Sequence, residues 1–256
     1  MIKKTLDQDA ESSVKQDIID KLLKNVPVEE ETILDFPSLG KFYNTGGKSV
    51  TLKPMSWDDE KILVSSGGGT AAVEALLNRC LQGITSAELI PMDKVYVLLK
   101  LREISYGAEY EVVITCPELT CKHKGEVSIN INELRVVKIP EDFKDPREAT
   151  LPKSGLKVMV RFQKTSEEQF FSEPALFYTN LWRLVTQVGE YTDKEVIAGT
   201  IKQLPLVDLH ALKDEIFVEQ YGVDTRFMYG CPKCKTETLM EVPLGSDFFS
   251  VNSQKS

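Results

Sequence analysis

The stretch "MYGCPKCKTETLMEV", residues 228 to 242, sets two thiols three positions apart, Cys231 and Cys234, on a turn made by Pro232 and Lys233 between two segments that read as strands. A tetrahedral ion such as zinc takes four ligands, and this turn holds two. The other close pair lies in "ITCPELTCKHKGE", where four residues separate Cys116 from Cys121 and Pro117 again follows the first thiol. Spacings of two to four residues are those of structural zinc sites. A zinc ribbon leaves roughly 15 to 20 residues between its pairs, whereas more than a hundred intervene here. A fold that brings all four thiols to one ion must therefore return the chain to the place it left.

A duplicated unit accounts for that return. Tyr106-Gly107 precedes Cys116-Pro117 at the interval at which Tyr221-Gly222 precedes Cys231-Pro232, an offset of 115 (231 − 116). The same offset relates "FPSLG", Phe36 to Gly40, to "LPKSG", Leu151 to Gly155, and Asp93 to Asp208. Between these anchors the register slips to 108 (158 − 50), where "VTLKPMSWDDE" from Val50 matches "VMVRFQKTSEE" from Val158. The expected fold is α+β and mainly helical, with two pseudo-symmetric repeats, each strand, helices and β-hairpin, joined by a zinc-ribbon-like pair of hairpins. The boundaries read as an N-terminal amphipathic helix and linker over 1–32, a first repeat over 33–135, a linker over 136–147, a second repeat over 148–247, and a loose tail over 248–256.

Along the chain, "SSVKQDIIDKLLKNV" places Val14, Ile18, Leu22 and Val26 on one side, joined by Ile19 and Leu23, which predicts a helix over 12–26 with Ser12 or Ser13 at its cap. "SVTLKPM" alternates as a strand, and "SWDDEKILVSS" opens a helix with Ser56 at the cap and acids in its first turn. Helices follow over "AAVEALLNRCL", after the break at Gly67 to Gly69, and over "MDKVYVLLKLREISY". In the second half "LKVMVRF" reads as a strand. "SEEQFFSE", "ALFYTNLWRLVTQV", "DKEVIAGTIKQL" and "LVDLHALKDEIFVEQY" read as helical.

With 42% hydrophobic and 27% charged residues the chain has the composition of an ordinary globular protein. No run approaches the roughly 20 apolar residues of a bilayer span, and "MIKKTLDQDAESSVKQ" has no apolar core of a secretory signal, so a cytosolic setting without membrane insertion is expected. There, paired cysteines bind metal more often than they bridge. A net charge of −8 leaves no excess of Lys and Arg to neutralise phosphates, which argues against nucleic acid as the principal partner.

Other constellations carry less. "NTGGKS" at 44 to 49 ends like a phosphate-binding loop, but Phe42 stands where the first glycine is needed and a strand follows, so it reads as a polar turn. Two histidines leave little for general acid-base catalysis. His210 reads as a surface or capping residue. His123, two residues past Cys121, either replaces a thiol in the metal site or is a solvated hairpin residue. Cys80 reads as a small buried hydrophobe, and the acids of "WDDE" serve a helix N-terminus. The quartet Cys116, Cys121, Cys231 and Cys234 remains, a closed structural set for one Zn2+, because catalytic zinc keeps a position open. It comes with no catalytic or small-molecule site.

"FPSLGKFY", followed by "VTLKPMSWDDEKIL", and the later "YGCPKCKTETLMEVPLGSDFF" resemble the baseplate proteins of T-even-type contractile-tailed bacteriophages. The similarity covers both repeats. It implies a non-enzymatic protein that binds other phage baseplate and tail proteins in the host cytoplasm during assembly, either a hub component that stays in the virion tail baseplate or a factor that only assists hub assembly. The competing reading is a zinc-ribbon module that binds nucleic acid or regulates, with the lysines of "CKHKGE" and "CPKCKTE" beside the metal.

Overall fold

The computed structural model describes residues 14, 15, 18, 19, 21, 22, 31–65, 69–218, 220–244 and 246–249. The chain divides into two compact units, residues 1–30 and 31–256. In the first, the described residues are helical, and Val14, Ile18, Ile19 and Leu22 are exposed, Leu22 to 74%. Ser12, Ser13, Leu23 and Val26, expected on the same helix, lie outside the described residues, as do Gly67 and Gly68 and the tail from residue 250.

The second unit opens with an antiparallel meander of very short strands, β1 (Thr32–Ile33), β2 (Thr51–Leu52) and β3 (Leu81–Gln82), with Ile33 opposite Thr51 and Leu52 opposite Leu81. Between β1 and β2 the chain reverses at Gly40, whose φ of +66° a side chain would strain. Helix α1 (Trp57–Ser65) begins where the Asp59 carboxylate accepts hydrogen bonds from the Ser56 N–H (2.8 Å) and hydroxyl (2.6 Å), half of a capping box. Helix α2 (Thr70–Cys80) buries Ala72, Leu76, Leu77 and Cys80, the one-sided stripe that its period predicts. Helix α3 (Pro91–Tyr106) follows, with Pro91 in its first turn, where a missing N–H costs nothing. Then come the hairpin β4 (Glu109–Thr115) and β5 (Lys124–Asn130), and strand β6 (Arg135–Val137).

The second half begins with another antiparallel meander, β7 (Arg147–Thr150), β8 (Lys157–Val160) and β9 (Val185–Val188), in which Glu148 faces Met159 and Val160 faces Val185. Its turn carries Gly155 at φ +69°. Helices α4 (Pro174–Asn180), α5 (Lys194–Ile201) and α6 (Leu206–Ile216) follow β8, with β9 between α4 and α5. Asp193 caps α5 by accepting the N–H groups of Glu195 and Val196 at 2.9 and 3.0 Å. Strand β10 (Gly222–Asp224) pairs with β6, and β11 (Arg226–Gly230) with β12 (Glu237–Glu241) forms the closing hairpin.

The expectation of a mainly helical fold is corrected. Twelve strands in five small sheets share the described residues with the helices. Part of the difference is one misread segment: "LWRLVTQV" was expected to continue a helix, but Leu181–Leu184 is a 3-10 turn and Val185–Val188 is β9, pairing with β8. The β-branched Val185, Thr186 and Val188 suit a pleated strand better than a helix. Part is the two- and three-residue strands, too short to show a period of two. In the expected linker 136–147, Val136 and Val137 belong to β6; in the expected tail, Phe248 and Phe249 are buried.

Two apolar cores result. One gathers Phe36, Leu52, Leu76, Leu77, Val97 and Leu101 with Phe248 and Phe249 from the far end of the chain. The other gathers Leu151, Val158, Leu184, Ile197, Ile201 and Leu212. They are fastened together at several points. The Thr165 N–H and hydroxyl both donate to the Leu89 carbonyl, at 2.8 and 3.1 Å, and Lys94 pairs with Glu168 at 2.6 Å. Gly222, at φ +107°, packs so closely on Met92 that a Cβ there would stand 2.9 Å from the Met92 Cβ.

Candidate metal centre

Both hairpins alternate. In β4, Tyr110, Val112 and Ile114 turn inward while Glu109, Glu111, Val113 and Thr115 are exposed or on the exposed side; in β11, Phe227 and Tyr229 turn inward. The inward faces of the two hairpins make a third small core, in which Ile114, Cys116, Tyr229 and Cys231 are buried and Val127 and Met240 half-buried. The thiols sit at its tip.

Each tip is shaped by its own backbone. The Cys116 N–H donates to the His123 carbonyl (2.7 Å), and the N–H groups of Cys121 and Lys122 donate to the Glu118 carbonyl (3.0 and 3.2 Å). In the other tip the Cys231 N–H donates to the Thr236 carbonyl (3.0 Å), and the Lys235 N–H to the Cys231 carbonyl (2.9 Å). The residue after the second cysteine is left-handed in both, Lys122 at φ +48° and Lys235 at φ +61°. The longer first turn, with four residues between its cysteines, thus reaches the same exit geometry as the shorter one.

The four sulfurs converge. Cys116 Sγ stands 3.7 Å from Cys234 Sγ, Cys121 Sγ stands 3.8 Å from Cys231 Sγ, and all four lie within 4.8 Å of one another. A disulfide needs sulfurs about 2.05 Å apart, and all four cysteines are free. Tetrahedral zinc with metal–sulfur bonds of about 2.3 Å requires sulfur–sulfur edges of about 3.8 Å. These two pairs, each bridging the hairpins, match that edge, so the donor set fits one tetrahedral ion of zinc type.

Electrostatics divides the thiols. The Cys234 and Lys233 backbone N–H groups hold the Cys231 thiol down, to about 6, whereas burial pushes the Cys116 thiol up, to about 12. The Thr236 hydroxyl, 3.4 Å from Cys234 Sγ, lowers that thiol too. Thr236 had no sequence signal beyond its place two residues past the pair. Tyr229 lies against the cluster with its hydroxyl buried.

The other sequence candidates fall outside this group. His123 contributes its carbonyl to the hairpin and is not among the converging ligands. Cys80 is buried in the first core, with its thiol raised by burial to about 11. Residues 44–49 form an exposed turn in which Gly46 and Gly47 are left-handed, and no helix follows. Among the described residues no helix is long and apolar enough to cross a membrane.

No curated protein and no solved structure matches the chain. A family model described as "T4 bacteriophage base plate protein" matches residues 41–250, from just after the first Pro-Gly turn through both hairpins to the buried C-terminal phenylalanines. The chain belongs to that family of T4-type baseplate proteins.

Proposed function

We propose that this protein is a structural or assembly component of the baseplate hub, acting by binding other baseplate and tail proteins, with Cys116, Cys121, Cys231 and Cys234 holding one structural Zn2+. The carrying observation is the convergence of four sulfurs at tetrahedral spacing in a chain of the baseplate family. Four thiolate ligands leave no open coordination position, so the ion would hold rather than react, and no catalytic step belongs to this reading. The ion would clamp the β4–β5 hairpin to the β11–β12 hairpin, residues more than a hundred positions apart, and so close segments 33–135 and 148–247 as two repeats of one unit. On this reading the protein works in the host cytoplasm during assembly and takes no small-molecule substrate.

Co-expression with the baseplate gene set tests the role. The chain is expected in a hub subcomplex or in particles; its appearance in neither overturns the reading. Metal analysis of protein purified without added zinc tests the site, with about one zinc per chain expected.

A further inference from the structure

Two adjoining cavities of 640 and 370 Å³ lie where the two cores meet, and Gln163, Phe177 and Phe217 line both. The rings of Phe177 and Phe217 stand 5.4 Å apart and give the groove an apolar floor. Gln163 is 6% exposed, and its side chain makes no hydrogen bond among the described residues. A primary amide carries two donors and a carbonyl acceptor, and those of Gln163 open onto the cavities it lines.

The ends of the groove differ in charge. In the smaller cavity the charged side chain is Lys213, whose ammonium stands 5.9 Å from the Phe177 ring centre and has no carboxylate partner among the described residues. The larger cavity is lined by Glu74 and Glu168, of which Glu168 is engaged by Lys94 at 2.6 Å. The gradient therefore runs from a free cation, across aromatic rings and an unmet amide, to a free carboxylate on Glu74.

We propose that this groove docks a linear segment of another baseplate protein: apolar or aromatic in its middle, acidic toward Lys213, basic toward Glu74, and with a backbone amide pairing with Gln163. The proposal rests on the protein-binding reading above and names the surface that carries it. A peptide backbone supplies both a donor and an acceptor at one position, which is what the Gln163 side chain lacks. The ring floor supplies the apolar contact that a hot spot needs, and the opposed end charges set the direction of the segment.

The test begins with selection of a random 12-residue peptide display library on the full chain. Selected peptides are expected to share an apolar or aromatic centre with an acid at one end and a base at the other. Gln163→Leu, which removes the amide but keeps its volume, should weaken their binding about tenfold while leaving the melting temperature unchanged or higher, because no internal hydrogen bond is lost. Lys213→Glu should lower binding and reverse the preference for an acidic end. Absence of enrichment, or binding indifferent to both variants, overturns the groove. In parallel, both variants are co-expressed with the baseplate gene set. Wild type entering a hub subcomplex while both variants enter equally well overturns the groove and leaves the baseplate reading standing. Wild type entering no subcomplex overturns the baseplate reading, and the peptide measurements then decide the groove separately.

Discussion

Asp93 and Asp208 each stand third in a helix, α3 and α6, and each is buried with its carboxylate holding a turn residue 55 positions upstream, Ser38 and Lys153. Asp93 accepts the Ser38 N–H at 3.1 Å, the Ser38 hydroxyl, and the Tyr43 hydroxyl at 2.5 Å. Asp208 accepts the Lys153 and Ser154 N–H groups at 2.7 and 2.9 Å. In each half, one carboxylate thus ties the Pro-Gly turn to the helix N-terminus, whose dipole favours the negative charge.

The two carboxylates titrate in opposite directions. Burial raises Asp93, and the hydroxyl bonds offset only part of that. Burial also acts on Asp208, but the Lys153 and Ser154 bonds outweigh it and hold its carboxyl below the usual 3.8. A lowered folded-state value stabilises above the unfolded value, and that contribution is lost as pH falls through the folded one. A raised value stabilises below the unfolded value and loses its contribution as pH rises. Asp208→Asn should therefore lower the melting temperature at pH 7 by several degrees, with the deficit shrinking as pH falls below 4. The deficit of Asp93→Asn should instead grow as pH falls from 7 toward 4, through the raised folded-state value, and level off below it. Thermal unfolding of both variants from pH 3 to pH 7 checks the pair, and parallel slopes would refute it.

Phe248 closes the first core from the far end of the sequence. It is 1% exposed, its ring meets Tyr110 edge-on at 5.1 Å, and its carbonyl accepts from the buried Arg102 guanidinium at 2.7 Å. The next carbonyl, of Phe249, accepts from the Tyr106 hydroxyl at 2.9 Å. Phe248→Ala removes a buried ring from a site that rigid neighbours cannot refill, and should cost about 3–5 kcal/mol. Denaturant unfolding measures this. A loss under about 1 kcal/mol would mean that the segment contributes little to the core.

No described residue of 1–30 belongs to either apolar core, so a chain lacking 1–30 still carries both sets of core residues. The exposed Val14, Ile18 and Leu22 form an apolar helix face of the kind that partner proteins cover. The truncated chain should unfold within a degree or two of the full chain, yet be captured less well in hub subcomplexes. A collapse of its melting temperature would show that these side chains support the core.

The parts of this fold that could be read from the sequence are those whose residues carry their own geometry. The Cys-Pro turns, the Pro-Gly reversals at Gly40 and Gly155, and the stripe Ala72, Leu76, Leu77 and Cys80 act through local rules of turn and period. The meanders are less legible. Strands such as Thr32–Ile33 and Leu81–Gln82 exist through pairing with β2, and two residues cannot display an alternation. Val185–Val188 misleads for a related reason: Leu181, Leu184, Val185 and Val188 keep helical spacing, and only the pairing with β8 decides against a helix. At the cysteine cluster the residue types and turn spacings were legible, whereas the burial of the Tyr229 hydroxyl and the approach of Thr236 depend on how the hairpins meet. Nothing local marks Gln163, since its isolation is a property of two cores packed side by side.

With zinc at the four thiols, as proposed, removal of the metal should loosen the hairpins and spare the second core. Zinc binding to four thiolates is worth about 10–16 kcal/mol in small domains that fold around it, far more than the contacts of Ile114, Tyr229 and Met240 supply alone. Those hairpins hang from cores with their own buried Leu76, Val97, Leu184 and Ile201, so the loss should be local. A chelator, or Cys231→Ser, should increase amide exchange in Glu109–Asn130 and Arg226–Glu241 while residues 149–216 keep their protection. Cys80→Ser serves as the control, because that thiol lies in the first core rather than at the hairpin tips and its loss should leave the metal content unchanged. Metal content is measured on the same samples: about one zinc per chain for the native protein and for Cys80→Ser, and markedly less for Cys231→Ser. Protein without zinc whose hairpins exchange as slowly as before would show that the four thiols meet by packing alone.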